Sequence, residues 1–431
     1  MGAGGRPADG RQCSRFFLCV FQPKYQMADY FDQTGCDRIE LVCVKVRQFS
    51  GGLFDMFRIS LFMFIVFGMF GVVSFYLTPY LMNKGFEAGQ IGTIMAVGAL
   101  VSIFAQPFWG YISDKKKTVK RILLLLLICC LTASTGLFAM EHLLLIIVMY
   151  ACYMFFSSPI GPLAEALSLS YAQEHRREFG RMRVWGEIGV GVSALSVGYL
   201  VKAVGIDKLW IIFLSCGVIA VMAALQLRES KVTPTPVNLK ALGKLFMQRR
   251  LLWLLLIVLI VGIPHRMNDS MLSLYLKELE APESIIGIAW FFGTMSTIPA
   301  MMFAGRLFRR WNAIGIMTIA AVVYSIRWFI YSATDSAAVL IAAQVLHGAT
   351  FPLFFLATIH YMMTIVPAEL RATGQSAFAV TFAGLGGLVG NAAGGYAIQL
   401  FGAGHAYAIG GALALIGAAA LVGTYLYNRR L

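Results

Sequence analysis

Long apolar segments recur from residue 57 to the end of the chain, separated by short polar loops. A helix that crosses a bilayer needs about 20 largely apolar residues, and twelve segments reach that length. Their approximate limits are 58–82, 91–112, 120–139, 143–171, 183–202, 208–227, 251–277, 285–305, 313–332, 337–364, 372–400 and 405–427. Backbone polar groups in lipid must be satisfied within their own segment, so each span is predicted to be helical. The sequence therefore predicts an all-α membrane protein with twelve transmembrane helices.

Charge is scarce and unevenly placed. Charged residues make up 13% of the chain, against about 25% in soluble proteins, and the net charge is +14. Most loop Lys and Arg residues lie on one side of the predicted spans. The other side has only Lys84, Lys202, Lys208 and Lys277. By the positive-inside rule both termini are predicted to be cytoplasmic, in a bacterial-type inner membrane. This distribution explains the positive charge without a nucleic-acid partner.

Four regions follow from this pattern. Residues 1–55 are polar and irregular, without a clear signal peptide. We interpret them as a gene-model artefact preceding a natural start at or near Met56, or as a disordered cytoplasmic extension. Residues 56–227 and 251–431 each hold six spans, and residues 228–250 form a polar central loop.

The two six-span halves contain an internal repeat. Ile91-Gly92, Gly98 and Gly110 precede a basic run in the first half, and Ile286-Gly287, Gly293 and Gly305 do so in the second. Each glycine pair is separated by 195 residues. Glycine lets membrane helices approach closely, so we expect matched helix contacts in two related bundles. Parallel repeats of this kind place a substrate site at the midplane between the halves.

Several motifs resemble the major facilitator superfamily. The run from Gly110 through Asp114 to Lys115, Lys116 and Lys117 is similar to its loop 2–3 motif. The resemblance implies that these residues form a charge network at a cytoplasmic gate. Two stretches resemble helices IV and V of the lactose permease group, namely Pro159–Ala166 and Glu178–Gly186. Arg327, His347 and Pro352 resemble its helices IX and X, and the local patterns sit closer to the phenylpropionate-permease branch.

The departures from lactose permease concern the substrate and the proton. Thr350 stands where that family member has its proton-carrying glutamate, three residues after the histidine. Val190 matches its sugar-stacking tryptophan, and Thr294 matches its helix VIII glutamate. We therefore expect a substrate other than lactose and a different proton route.

Charged residues inside the spans of the first half are candidates for function, because each costs about 2.5–3.5 kcal/mol to insert. Pro159 and Pro162 are expected to bend the span that carries Glu165. Arg183 and Glu187, four residues apart, share a helix face. The resemblance implies that Glu165 and Arg183 bind polar groups of the substrate. The alternative is that both are interfacial charges.

The second half supplies the other candidates. Arg266 and Asp269 are three residues apart and can pair; this is either a structural ion pair or a site for a proton on Asp269. Arg327 and His347 lie at depths that differ by less than two helical turns, so they could face one cavity. His347 could relay a proton or be a hydrogen-bonding core residue. The substrate-binding candidates are Glu165, Arg183, Arg327 and His347. The proton-coupling candidates are Glu165, Glu187, Asp269 and His347.

These features predict a secondary active transporter: a proton-coupled symporter of a small organic solute working by alternating access. The substrate classes, in order, are aromatic carboxylates, oligosaccharides and nucleosides. A proton-driven exporter and a non-transporting membrane sensor are the alternatives. The sequence has no nucleophile elbow, P-loop or HExxH motif, and no cysteine pair spaced for a metal. We therefore expect no enzymatic activity, no metal, no cofactor beyond the proton gradient, and a functional monomer.

Overall fold

The computed structural model describes residues 35–175, 178–229, 248–367 and 370–430, and within residues 35–55 it describes the backbone alone. The chain divides into two compact units, Met1–Phe57 and Arg58–Leu431. Of the predicted N-terminal extension, residues 1–34 lie outside the described residues. From Gly35 the backbone is helical, where the sequence predicts irregular structure. Most of the central loop, residues 230–247, also lies outside the described residues.

Within the described ranges, twelve helical spans are long and apolar enough to cross a membrane, as the sequence predicts. We number them α1 to α12 in chain order. They are α1 Gly35–Asn83, α2 Ala88–Lys116, α3 Val119–Ala139, α4 Leu143–Glu174, α5 Phe179–Val204, α6 Leu209–Leu225, α7 Arg249–Glu278, α8 Glu283–Phe308, α9 Ala313–Ser332, α10 Ala337–Ile365, α11 Arg371–Phe401 and α12 Ala403–Arg430. A short 3₁₀ turn, Ile206–Lys208, precedes α6. The described residues include no β-strand.

Three spans are interrupted near the candidate residues. Helix α4 breaks at Ser158 and Pro159 and resumes at Ile160, as its prolines predict. Helix α10 stops at Gln344 and resumes at His347. Helix α11 contains a π-helical turn, Val380–Leu385. Such interruptions free backbone groups and often accompany functional positions in membrane helices.

The glycine repeat corresponds to repeated packing. Gly92 of α2 lies against α11, where a Cβ on Gly92 would come 2.9 Å from Cα of Gly395. Its counterpart Gly287 of α8 lies against α5, where a Cβ would come 3.3 Å from the carbonyl carbon of Ala194. The α2–α11 and α5–α8 pairs therefore join the two halves in the same way. We call these two glycine-based contacts the inter-half seams.

The other two glycine pairs are also matched. Gly98 packs against Tyr150 and Met154 of α4, and Gly293 packs against Gln344 of α10. These contacts join α2 to α4 and α8 to α10, within each half. Around Gly110 and Gly305, by contrast, an added Cβ would meet nothing within 4 Å. The 195-residue offset therefore relates equivalent environments in the two halves.

The halves meet near one end of the spans. We call the face where α2 begins the Glu87 side and the face where α2 ends the Asp114 side. At the Glu87 side, the amide of Gly89 donates to Oε1 of Gln399 at 3.0 Å, and Gln399 also donates to Glu87. A Cβ on Gly198 would lie 2.7 Å from the carbonyl oxygen of Glu283. Near the Asp114 side, Gly110, Gly180 and Gly305 have open space around them. The halves are thus closed on each other at the Glu87 side.

Candidate transport site

One guanidinium and two carboxylates form a cluster between α4 and α5. Nε of Arg183 lies 2.6 Å from Oε1 of Glu165, and its Nη1 lies 2.9 Å from Oε1 of Glu187. The guanidinium also lies over the ring of Phe67, 4.8 Å from its centroid. We call Glu165, Arg183 and Glu187 the α4–α5 cluster. The four-residue spacing of Arg183 and Glu187 and the α4 break bring these three side chains together.

The α4–α5 cluster is deep in the span yet accessible. Glu165 lies nine residues before the end of α4, roughly 13 Å along the helix axis. The exposed fractions of the Glu165, Arg183 and Glu187 side chains are 38%, 27% and 18%. Lipid strongly disfavours exposed charge, so this exposure is expected to be toward a polar interior. Two carboxylates share one guanidinium, which leaves the cluster with one excess negative charge when all three are ionised.

A second cluster joins α7, α9 and α10. Nη1 of Arg266 lies 2.8 Å from Oδ2 of Asp269, and Nε2 of His265 lies 3.5 Å from the same oxygen. Nη1 of Arg327 donates to Nδ1 of His347 at 3.1 Å. The rings of His265 and His347 stack with centroids 5.8 Å apart. We call these five residues the α7–α10 cluster.

Arg327 is fully buried and contacts only uncharged partners. Its guanidinium donates to Oε1 of Gln344 and to Oη of Tyr331, and lies 4.6 Å from the ring of Trp328. A guanidinium can only donate, so Nδ1 of His347 must accept, and the ring therefore carries its proton on Nε2. The cluster contains one carboxylate, that of Asp269, and two guanidinium groups, those of Arg266 and Arg327. With neutral histidines, the cluster has one excess positive charge.

The accessible residues of the α7–α10 cluster are Arg266, Asp269 and His347, whereas Arg327 is buried. The side chains of Arg266 and Asp269 are 33% and 26% exposed, and His347 is half-buried. Arg327 and His265 lie behind them, with Tyr324 3.0 Å from Nδ1 of His265. The structure thus brings each predicted pair together, but no hydrogen bond or ion pair among the described residues links the two clusters.

Sequence reasoning missed three polar partners. Gln344 and Tyr324 are uncharged, and each reaches the α7–α10 cluster only through the rotation of its helix. Gln344 lies three residues before His347, and this spacing within an apolar run was the one available signal. Glu229, the third, lies near the predicted gate.

The gate motif ends α2. Lys117 adopts a left-handed conformation with φ 51°, and its amide donates to the carbonyl oxygen of Asp114 at 3.2 Å. The carboxylate of Asp114 makes no hydrogen bond within the described ranges. Glu229 instead accepts from Oγ1 of Thr118 at 2.6 Å and from the amide of Val119 at 2.7 Å. This carboxylate caps the first turn of α3, where unpaired amides favour an anion. The gate role of Gly110, Asp114 and Lys115–Lys117 stays a prediction.

The fold and the charged clusters indicate the general class of protein, and the comparison with known proteins then gives the family. Twelve spans in two repeated halves, joined by matched helix pairs and holding charged clusters within the membrane, are the architecture of a membrane transporter of the major facilitator type. The chain belongs to the MFS_1 like family, which it matches over residues 56–409. The predicted fold and superfamily are thereby confirmed, and the chain is a multi-pass membrane transporter rather than an enzyme.

Curated relatives cover most of the chain. It is 30% identical over 333 residues to an uncharacterized transporter, YwbF, of Bacillus subtilis, covering 75% of this chain and 81% of that protein. It is 27% identical over 351 residues to a maltose permease of Geobacillus stearothermophilus, covering 80% and 89%. It is 22% identical over 309 residues to a probable 3-phenylpropionic acid transporter of Escherichia coli, covering 69% and 80%.

A solved structure shares the fold. The nucleoside transporter NupG superposes with a TM-score of 0.77 at 15% identity, covering 86% of this chain and 99% of that one. At this identity the likeness concerns the fold alone.

Proposed function

We propose that the protein is a proton-coupled symporter of a small organic anion, with aromatic carboxylates as the leading substrate class. One observation carries this proposal: two accessible clusters within the membrane bear opposite excess charge. The α4–α5 cluster has one carboxylate more than its arginine can neutralise. The α7–α10 cluster has one arginine more than its carboxylate can neutralise. A proton would compensate the first cluster, and a substrate anion would compensate the second.

The proton is assigned to Glu165 and Glu187. Both carboxylates pair with Arg183, and one proton added to either of them removes the excess charge of the cluster. Glu165 is the more exposed of the two, and is therefore the better proton acceptor from the Asp114 side. His347 is a poorer carrier in this state because Arg327 occupies Nδ1.

The anion is assigned to the α7–α10 cluster. Arg266 is partly exposed and its planar guanidinium suits a carboxylate. Its side chain is 33% exposed beside its ion pair with Asp269, and its buried Nε has no hydrogen-bond partner among the described residues. Arg327 is fully buried behind this accessible part of the cluster, where its positive charge adds to the attraction. Ring stacking of His265, His347 and Phe351 offers flat surfaces beside this charge.

Alternating access supplies the transport cycle. The halves are closed at the Glu87 side in this structure, and the positive-inside rule assigns the Asp114 side to the cytoplasm. The structure would then correspond to a state that faces the cytoplasm, and rocking of one half against the other would expose the same clusters to the opposite face. We expect a monomer in a bacterial-type inner membrane to suffice, with the proton gradient as the only energy source.

The charge balance makes the proposal testable by electrical measurement. One proton carried with one monovalent anion moves no net charge. Purified protein in liposomes should therefore accumulate 3-phenylpropionate when the pH outside is acidic. A potassium–valinomycin potential of either sign should leave the initial rate unchanged. Uptake that responds strongly to the potential would overturn symport of one proton with one anion.

The same vesicles separate the alternatives. Maltose and uridine serve as neutral probes, and proton-coupled uptake of either one would be driven by an inside-negative potential. Such a result, together with no 3-phenylpropionate uptake, would favour the sugar or nucleoside classes. An exporter would accumulate substrate only when the pH gradient is reversed. A sensor would show no flux of any probe, although a ligand could still raise its melting temperature.

A further inference from the structure

A cavity separate from both charged clusters lies at the Asp114 side of the second half. It has a volume of about 570 Å³ and is formed where α7 and α9 begin and α10 and α12 end. The residues that line it include Arg249, Arg250 and Trp253 of α7, Tyr361 of α10 and Asn428 of α12. None of the residues that line it is acidic, so the cavity presents cationic and hydrogen-bonding groups together.

The guanidinium groups of Arg249 and Arg250 are not neutralised by an ion pair within the described ranges. Both are exposed, and neither makes an ion pair or hydrogen bond within the described ranges. Neighbouring polar groups are instead already engaged with one another. Nε1 of Trp253 donates to Oγ1 of Thr424 at 2.9 Å, and Nδ2 of Asn428 donates to Oη of Tyr361 at 3.4 Å. The lining is therefore held by its own hydrogen bonds, while the two guanidinium groups have no ion-pair or hydrogen-bond partner within the described ranges.

The polarity of the lining changes with depth. Arg249 and Arg250 begin α7, whereas Leu254 and Ile257 lie one and two turns further into the span. Leu421 lies correspondingly deep in α12. A ligand that fills the cavity thus needs an anionic group at the membrane surface and an apolar part below it. A free phosphate ion lacks the second part, whereas an anionic phospholipid has both.

The surrounding surface favours the same ligand. Arginines of the second half that lie near this face are Arg249, Arg250, Arg306, Arg309, Arg310, Arg371 and Arg429. Within the described ranges, no Asp or Glu of the second half lies near this face. Arginine binds phosphate oxygens in a bidentate manner. We propose that the cavity binds the phosphate headgroup of an anionic phospholipid, with Arg249 and Arg250 on the phosphate and the upper acyl chains against Leu254, Ile257 and Leu421.

The test compares lipids and charge-matched variants of the full chain. Delipidated wild-type protein should gain several degrees in melting temperature with phosphatidylglycerol and much less with phosphatidylcholine of the same acyl chains. The double variant Arg249→Gln/Arg250→Gln should lose most of that gain. The double variant Arg309→Gln/Arg310→Gln loses the same charge from the same face outside the cavity, and should keep the gain.

Each remaining outcome decides against the proposal. Equal gains in the two double variants would show a general surface-charge effect. An equal gain with glycerol 1-phosphate, which has no acyl chains, would indicate a soluble anion instead of a lipid. Should the Arg249→Gln/Arg250→Gln protein fail to fold, tryptophan quenching by dibrominated lipids replaces it. Quenching should be stronger with brominated phosphatidylglycerol than with brominated phosphatidylcholine, and Trp253→Phe should remove that difference. Its persistence in Trp253→Phe would overturn the assignment.

Discussion

Arg183 joins α5 to α4, because its Nε lies 2.6 Å from Oε1 of Glu165. Its other ion pair, to Glu187, lies within α5. A proton bound at Glu165 would therefore act on a contact between two helices of the first half. This geometry places a titratable group where its charge can influence helix packing as well as binding.

Replacing Glu165 with glutamine tests this group. The amide cannot ionise, so we expect Glu165→Gln to reach the membrane and to lose acid-driven accumulation. One proton per anion supports about tenfold accumulation per pH unit, and the variant should show none. Counterflow exchange should persist, since a neutral amide resembles the protonated carboxyl. Glu141 is an exposed loop residue, and Glu141→Gln is the matched control. Full accumulation by Glu165→Gln would remove Glu165 from the proposed scheme.

Asp269 offers the opposite test. Its carboxylate pairs with Arg266 at 2.8 Å, and Asp269→Asn raises the positive charge of the α7–α10 cluster by one. We expect 3-phenylpropionate to bind about threefold to tenfold more tightly, in line with one added partly screened charge. Acid-driven accumulation should remain, since the proton is assigned elsewhere. Titration calorimetry measures the first effect and vesicle uptake the second. Tight binding with no accumulation would instead make Asp269 the proton carrier.

Gly287 lies at a close contact between the two halves near the Glu87 side. A Cβ there would come 2.7 Å from Oη of Tyr76 and would also meet the carbonyl group of Ala194. We expect Gly287→Ala to disfavour the closed arrangement and to shift the population toward states opened at the Glu87 side. Thiol labelling of a cysteine introduced at Ser270 should then become several-fold faster. Gly305→Ala, where an added methyl group meets nothing within 4 Å, should label at the wild-type rate. Equal rates in both variants would contradict the assigned role of Gly287.

Glu229 should stabilise the fold without affecting binding. It accepts from the amides of Val119 and Lys120 and from the hydroxyl of Thr118. Glutamine keeps one acceptor oxygen but loses the negative charge that the unpaired amides favour, at a cost of about 0.3–1 kcal/mol. We expect Glu229→Gln to lower the melting temperature by a few degrees and to leave substrate affinity unchanged. The exposed Glu174 near the same face provides the control variant Glu174→Gln. A melting temperature equal to that of wild type would show that the cap contributes little.

The fold was predictable because its determinants are long and repeated. Twelve apolar runs fix the helix count, and the spacing of Gly92 and Gly287 identifies the two halves. The α4–α5 cluster was predictable for a related reason. Arg183 and Glu187 are charged, and charge within an apolar span is rare enough to attract attention.

The remainder of the site depends on helix rotation, which composition does not set. Gln344 and Tyr324 are polar but uncharged. Apart from the three-residue spacing of Gln344 from His347, nothing in the local sequence distinguishes them from ordinary span residues. The break of α10 at Val345 and Leu346 has no proline or glycine to indicate it. The full burial of Arg327 follows from packing among Tyr331, Gln344 and Trp328, which are brought together only by tertiary structure.

The inter-half seams use glycine and main-chain atoms, whereas the clusters that we assign to binding use charged side chains at other depths. Substitutions that alter cargo recognition therefore need not disturb the surfaces on which one half moves against the other. Related transporters could therefore change their substrate by substituting a few side chains of the clusters, while the inter-half seams stay the same. Directed evolution toward a new solute should thus begin at the clusters and leave Gly92, Gly287 and Gly395 untouched.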